Sequence, residues 1–482
     1  MVCLRVHITV APIRVGHAAV QFEEKLKMTV HQKVRMGEPP VVSYQELLAR
    51  DSKPSPAFYA PMTRDLGTEP IPASRYTSPE FFAREVELVF MKTWQMACRN
   101  EDIPEVGDTH VYELLDQQVL VVRQQDGQVR AFKNVCRHRG RKLVNASACK
   151  TSFRCAYHGL TWGLDGKLIE NPFAWDFPQL TADEIPLFDL RCESWGGFIF
   201  INFDHAATPL LELIAPMPEH FAHWKIEDCY KSAHVAKIAH ANWKVCAEAF
   251  LESHHVICTH PEYNLFSGYD SGQHDVLSDH VTRFFAPSGI TPGPFLDRGI
   301  DDERRLSLML AAGNRAFDPS AKVELPEGTS ARAFAAESVR KMVGARTGYD
   351  FSEYSDADMV DGQGYDIFPN FHLWGGFKDK ISYRFRPISH DRTMLEVFLF
   401  TLTPKDGPRP KPVEMRTLGE DENWTGIPEL GALAAVYDQD FSNMGPVQQG
   451  LTSLGDESVH FSHYLEVRCR NLHRMVDEYM KR

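Results

Sequence analysis

Two short stretches pair a cysteine with a histidine within one turn of chain: "CRHRG", with Cys136 and His138, and "CAYHG", with Cys155 and His158. Two thiolates and two imidazoles are soft or borderline ligands. They suit a zinc ion, or a two-iron cluster in which histidines replace cysteines on one iron, and spacing alone does not choose. Gly140 and Gly159 follow the histidines closely, where a tight loop must let backbone amides approach sulfur. Cys149 lies between the pairs and reads as incidental. A third stretch, "NWKVCAEAFLESHHVICTH", holds Glu252, His254, His255 and His260. Two neutral histidines and one carboxylate on one face would hold a mononuclear iron, with positions left for O2, water and substrate approach. On a regular helix, positions five apart diverge by about 140°. His255 and His260 therefore converge only where the helix bulges or ends, and Pro261 marks an ending.

These residues must be positioned by a large scaffold. At 482 residues the chain exceeds one ordinary domain, and its 43% hydrophobic and 24% charged residues are those of a globular protein. A formal charge of −13 without Lys/Arg-rich runs excludes nucleic acid or an anionic membrane as the principal partner. No apolar run reaches the roughly 18 to 20 residues of a membrane helix. Arg14 interrupts the apolar N-terminus and no clean cleavage site follows, which argues against a secretory signal, and a start at Met28 or Met36 is a second reading. The 10 cysteines then indicate a reducing, cytoplasmic setting. Cys98, Cys192, Cys229, Cys246 and Cys258 are expected to be buried, inert thiols.

The segment "SPEFFAREVELVFMKTW" reads as a docking helix, capped by Ser78, with Pro79 in its first turn and Phe82, Val86, Val89 and Phe90 as an apolar stripe. "THVYELL", "QVLVVRQ", "VRAFKNV" and "WGGFIFINF" read as strands, with Asp126-Gly127 and "LDGKL" as turns, so a small all-β unit spans 95–205. "ANWKVCAEAFLES" reads as a helix ending near Pro261. Residues 288–366, rich in Gly, Pro and charge around a helical island, look like insertions over a core. "ISYRFRP" and "TMLEVFLFTL" form an antiparallel hairpin, and the pattern is helical again from Ser453.

"CRHRG…CAYHG…DG" resembles the signature of Rieske iron-sulfur domains. The resemblance implies that Cys136 and Cys155 bind one iron of a 2Fe-2S cluster, and His138 and His158 the other. Leu160 stands where many oxygenase members carry Trp. Neither loop has the extra cysteine of the respiratory type, and a stand-alone ferredoxin would leave most of the chain unexplained, which points to the Rieske non-haem iron oxygenases, the aromatic-ring-hydroxylating alpha subunits. Glu252-x-x-His255-x4-His260 matches that family's acidic-x-x-His-x4-His motif, implying Fe(II) ligation by His255 and His260. His254, the rival ligand, reads as a pocket or packing residue. The acidic residue of the family joins a neighbouring subunit's Rieske histidine to the iron site, so Glu252 would bridge His158 and His255. "YDQDFSNMGPVQQGLTS" resembles the acidic pair before a Q-x-G-L-x-S segment, which puts the carboxylate ligand at Asp440, with Asp438 as the alternative.

The resemblance implies an α+β chain. A small all-β Rieske domain (95–205) joins a helix-grip catalytic domain (75–94 and 206–482), an antiparallel sheet around a long helix, and 1–74 is an N-terminal extension, partly disordered or mis-started. Subunits would assemble head to tail as a homotrimer, or as a trimer of alpha subunits with or without a beta subunit. The implied activity is reductive O2 activation, adding one or two oxygen atoms to an aromatic or similar apolar small molecule, as in aromatic hydrocarbon catabolism. Oxidative N- or O-demethylation of a quaternary amine, aryl ether or steroid is the second reading, and a Rieske electron-transfer protein is a third. The sequence shows no G-x-G-x-x-G after a strand and no C-x4-C-x2-C run, so NAD(P)H would act through a separate reductase, with or without a ferredoxin. Phe250, Phe285, Phe295, Phe368, Phe371 and Trp374 are the candidate pocket aromatics.

Overall fold

The computed structural model describes residues 42–180, 185–313, 318, 320–378 and 380–482; Met28 and Met36 lie outside them. Ser43 starts helix α1 (Tyr44–Leu48) through a capping box, its hydroxyl accepting from Glu46 N at 3.3 Å and its own N–H donating to Glu46 Oε2 at 2.7 Å. Pro56 opens α2 (Pro56–Tyr59). Tyr44 stacks on Phe285 with ring centroids 5.2 Å apart, and Tyr59 meets the same ring edge-on at 4.9 Å. Arg332 ties Asp51 to the same region at 2.6 Å. Within the segment expected as an extension, Tyr44, Leu47, Leu48 and Tyr59 are buried, while nearly all of 60–70 is exposed. Ser78 caps α3 (Pro79–Glu85), accepting from Phe81 N at 3.0 Å, and a π turn over Val86–Phe90 buries Val89 and Phe90. That helix does more than dock. Its Glu85 is buried and accepts from Lys244 Nζ at 2.6 Å and Trp243 Nε1 at 3.1 Å.

The β-rich runs pair as strands β1 (Gln95–Arg99), β2 (Asp108–Leu114), β3 (Gln117–Arg123), β4 (Val129–Lys133) and β5 (Ala148–Cys149). A separate three-stranded sheet follows, with β6 (Phe153–Arg154), β7 (Thr161–Trp162) and β8 (Leu168–Glu170). Strands β9 (Asp189–Trp195) and β10 (Phe198–Asn202) rejoin the first sheet, whose order is β1-β10-β9-β4-β3-β2-β5. Leu160 is buried in one cluster with Phe153, Trp162 and Phe132, so the expected departure at this position still fills apolar volume.

A second, eight-stranded sheet contains β11 (Cys229–Ala239), β12 (Gln273–Val276), β13 (Val281–Ala286), β14 (Gly362–Ile367), β15 (Phe371–Trp374), β16 (Ile381–Ser389), β17 (Arg392–Leu402) and β18 (Arg416–Thr417). Its order is β12-β13-β14-β15-β16-β17-β11-β18. Strand alternation splits its side chains between two cores. On the inner face Tyr383, Phe385, Leu395 and Val397 pack with Trp243, Tyr437, Met444 and Leu472. These partners come from α4 (Trp243–Glu248), which precedes the short α5 (Val256–Thr259), and from the long α7 (Leu433–Leu454) and α8 (Val467–Met480); α6 (Ala331–Thr347) is the expected helical island. On the outer face Phe371, Leu373, Phe398 and Phe400 pack with Trp195 and Phe198 of the small β unit.

Three expectations change. Residues 362–366 are not part of an insertion, because β14 hydrogen-bonds on both edges inside the sheet. The C-terminal helical region is interrupted: α7 ends at Leu454 with Gly455 at φ 59°, and Ser458–Val459 pairs with Ile71–Pro72 before α8 begins. Cys258 is exposed and Cys192 only half-buried. No helix among the described residues is long and apolar enough to cross a membrane.

Candidate metal centres

The two Cys/His loops fold identically at the backbone. Cys136 N donates to Arg141 O at 2.8 Å and Gly140 N to Cys136 O at 3.0 Å; Cys155 N donates to Leu160 O at 2.8 Å and Gly159 N to Cys155 O at 3.0 Å. Each loop turns back through its glycine, at φ 72° for Gly140 and 81° for Gly159. Both sulfurs are buried. Burial pushes the Cys136 thiol up and the adjacent Cys155 adds to this, while the His138 and Arg139 amides point at the sulfur and oppose it. The His138 and His158 rings lie 4.8 Å apart, and His138 Nδ1 is buried without a protein partner.

Those four residues do not form a compact single-ion set. Among the described residues, only His255, His260 and Asp440 bring three or more ligand atoms within 4.8 Å of one another. One tetrahedral zinc would need all four ligand atoms roughly 3.5 Å apart. A wider pair of pairs suits a two-iron cluster with sulfur on one iron and nitrogen on the other.

The second site depends on a break in the expected helix. Asn242 caps α4, its Oδ1 accepting from Lys244 N at 3.0 Å while Gln448 Oε1 accepts from its N–H at 2.8 Å. The helix tightens into i→i+3 bonds at Phe250 and Leu251 and stops. Glu252 then turns its carboxylate onto the backbone, Oε2 accepting from His255 N at 3.1 Å, so a side chain takes the place of a helical carbonyl. Glu252 and His255 thus meet across a bend rather than along one helix face. His260, placed before Pro261, leaves helical geometry at φ −125°, ψ 64°. The two bends bring the imidazoles together, with ring centroids 5.2 Å apart and planes 71° apart.

Asp440 lies on the buried stripe of α7 with Tyr437, Met444 and Gln448. Its Oδ1 is 2.8 Å from His260 Nε2 and 3.5 Å from His255 Nε2, close to the ~3 Å between neighbouring ligands on one metal face. Asp438 is turned elsewhere, accepting from Trp424 N at 2.8 Å and Thr425 N at 3.1 Å. Each imidazole's other nitrogen is held. Glu252 Oε1 accepts from His255 Nδ1 at 2.5 Å, and Gln439 Oε1 from His260 Nδ1 at 2.7 Å; both leave Nε2 lone pairs toward Asp440. Gln439 was not singled out in the sequence, although it adjoins Asp440. Burial would raise the Glu252 carboxyl, but His254 and His255 overcome this and hold it below the usual range. His254 Nδ1 lies 2.8 Å from Glu252 Oε2, outside the triad.

The candidate pocket aromatics divide. Phe250 packs on Tyr383 at 4.3 Å, and Trp374 shares that inner-face core. Phe285 and Phe371 point to the other side of the sheet, Phe295 is half-exposed in a 3-10 turn, and Phe368 packs on Tyr479 at 5.6 Å.

A model of the Rieske 2Fe-2S domain matches residues 93–181, and one of the ring hydroxylating alpha subunit catalytic domain matches residues 219–482. Together they imply a 2Fe-2S cluster and an Fe(II) ion, which the two donor sets fit. Choline monooxygenase of Beta vulgaris is 31% identical over 230 residues, 46% of this chain and 52% of that protein. The large oxygenase component of the naphthalene 1,2-dioxygenase system of Pseudomonas putida is 34% identical over 194 residues, 38% of this chain and 42% of that protein. The chain spans about half the length of the curated relatives it matches. In three dimensions, a quaternary ammonium Rieske monooxygenase in complex with L-carnitine superposes with a TM-score of 0.59 at 19% identity, over 86% of this chain and 96% of that one.

Proposed function

The chain belongs to the ring-hydroxylating alpha-subunit family, and from that membership we propose that it is a terminal oxygenase that uses O2 to oxidise an aromatic or similar apolar small molecule. Cys136, His138, Cys155 and His158 would hold the 2Fe-2S cluster, and His255, His260 and Asp440 the Fe(II). When bound, the cluster supplies a one-electron store and the Fe(II) a centre for oxygen activation. The protein's own part is orientation. Glu252 and Gln439 fix the two imidazole tautomers so that both Nε2 atoms face Asp440. The observation that carries the reading is this convergence of three ligand atoms, each imidazole held from behind.

Residues 95–205 serve as the electron-entry domain, and 75–94 with 206–482 as the oxygenating domain. Electrons come from NAD(P)H through a separate reductase, in the cytoplasm. Subunits assemble head to tail as a trimer, so that Glu252 links His255 to the partner subunit's His158. The half-buried His158, set against the exposed Tyr157 with ring centroids 3.8 Å apart, supports an exit for electrons at this tip.

The test combines iron analysis with oxygen uptake and product identification, using a surrogate reductase and a panel of arenes, amines and steroids. The reading requires iron beyond that of the cluster and oxygen incorporated into a product. Iron sufficient for the cluster alone, with no uptake across the panel, would leave an electron-transfer protein and overturn it.

A further inference from the structure

The inner face of the eight-stranded sheet, opposite the helices that carry the triad, presents a row of side chains set by strand register. His274 of β12 pairs with Phe284 of β13, Phe284 with Gly364 of β14, and Gly364 with Trp374 of β15. A parallel row two residues along contains Asp366, His372 and Tyr383. Gly364 is required by this packing, because a Cβ there would lie 2.0 Å from the Phe284 ring and 2.9 Å from His372. The face looks toward the triad's helices: Tyr383 touches Phe250, two residues before Glu252, and its hydroxyl lies 3.4 Å from that of Tyr437 on α7.

Three side chains of these rows, His274, His372 and Trp374, leave polar atoms without partners. His274 is fully buried with neither ring nitrogen bonded, His372 is 1% exposed with Nε2 unbonded, and Trp374 Nε1 is unbonded. Unmet hydrogen bonds of this kind are costly unless a ligand or water completes them. Their directions are defined. His372 Nδ1 donates to Asp366, so its Nε2 is an acceptor; Trp374 is a donor, and a neutral His274 offers one of each. Burial keeps both imidazoles neutral by pushing them down, His274 to about 3.

Arg468 pairs with Asp366 through Nε and Nη2, leaving Nη1 without a partner, and its guanidinium covers Phe284 at 4.4 Å. That ring is therefore taken as a cation platform, and a quaternary ammonium would meet a guanidinium of its own sign. A plain hydrocarbon would leave His274, His372 and Trp374 unsatisfied, whereas a hydroxyl both donates and accepts. We infer that the substrate is an uncharged ring compound bearing a hydroxyl group, selected by His274, His372 and Trp374. This rests on the oxygenase reading for the location of the site.

The test is calorimetric binding to the oxidised, reductase-free holoenzyme. Matched sets of one to four rings are compared: toluene with 4-methylphenol, naphthalene with 2-naphthol, and a sterane with its sterol, alongside carboxylate and trimethylammonium counterparts. The hydroxylated member of at least one set should bind roughly tenfold or more tighter than its hydrocarbon and charged counterparts. Trp374→Phe, which keeps the ring and removes the N–H, and His274→Phe should each lower that preference, read as the ratio of hydroxylated to hydrocarbon affinity, by at least about threefold. Equal binding within every set, tighter binding of a charged member, no binding by any member, or a preference unmoved in both variants would overturn the inference. Binding is read without turnover, so it fails separately from oxygen uptake, on which the oxygenase reading depends.

Discussion

Asp440 Oδ1 lies 2.8 Å from His260 Nε2, while its neighbour on the helix, Gln439, holds the opposite nitrogen of the same ring at 2.7 Å. One helical step thus supplies both a candidate ligand and the group that fixes the tautomer of a second candidate. Asp440 is 7% exposed at its side chain.

Replacing Asp440 with Ala should remove the mononuclear iron while leaving the Rieske absorption unchanged, since the cluster loops are separate in sequence and sheet. Iron per chain should fall to that of the cluster, and substrate-dependent oxygen uptake should cease. Full iron occupancy with retained turnover would remove Asp440 from the ligand set. Asp438→Ala should keep the iron, because its carboxylate is used by Trp424 and Thr425.

Gln439→Leu keeps the size but removes the acceptor at His260 Nδ1. Lost outer hydrogen bonds of this kind weaken metal sites by about 10- to 100-fold. Competition with a chelator should show Fe(II) released correspondingly faster than from the parent protein, with Gln439→Glu retaining it. Identical release from the Leu variant would make the 2.7 Å contact incidental.

Glu252→Gln should retain both metals, because the amide oxygen can still accept from His255 Nδ1. It should slow transfer between the centres, seen as reduced cluster reoxidation in single-turnover, stopped-flow experiments on the pre-reduced enzyme. Unchanged rates would refute a bridging role.

The two Cys/His loops were legible because their candidate ligands and glycines are local: two backbone turns of the same form place them. The His255 and His260 spacing also carried information, since only a broken helix could bring them together. The place of the break was not legible, because "ANWKVCAEAFLES" consists of good helix formers and the interruption comes from the Glu252 side chain bonding to His255 N. Asp440 required a distant motif, although helical periodicity with Tyr437, Met444 and Gln448 favours it over Asp438 for the buried stripe. Phe284 was missed in favour of Phe285 because alternation in "VTRFFA" does not say which face is inner. That is decided by pairing with β12 and β14, whose residues lie far apart in sequence.

The buried Glu85–Lys244 pair, 2.6 Å apart with both side chains 0% exposed, ties α3 to the first turn of α4. Lys244→Met leaves a carboxylate buried beside Trp243 and should destabilise the protein by about 3 to 5 kcal/mol, read as a shift of the urea unfolding midpoint. Glu85→Leu combined with Lys244→Met should recover most of that loss. If the single variant unfolds at the parent midpoint, the pair contributes nothing to holding α4.

Glu248, one turn before Glu252, accepts from Tyr76 Oη at 2.9 Å and lies 2.8 Å from His473 Nε2. Burial pushes its carboxyl up from 4.5 to about 8, against the lowering influence of Tyr76 and Lys244. The folded state therefore binds this proton more tightly than the unfolded chain. Its contribution to stability is complete below about pH 4.5 and is lost progressively as the pH rises through about 8. Urea unfolding at a series of pH values across that window should show stability falling with pH, and Glu248→Gln, permanently neutral, should flatten this dependence. A slope unchanged by the substitution would mean that Glu248 is ionised in the folded protein and that its neighbours compensate the charge.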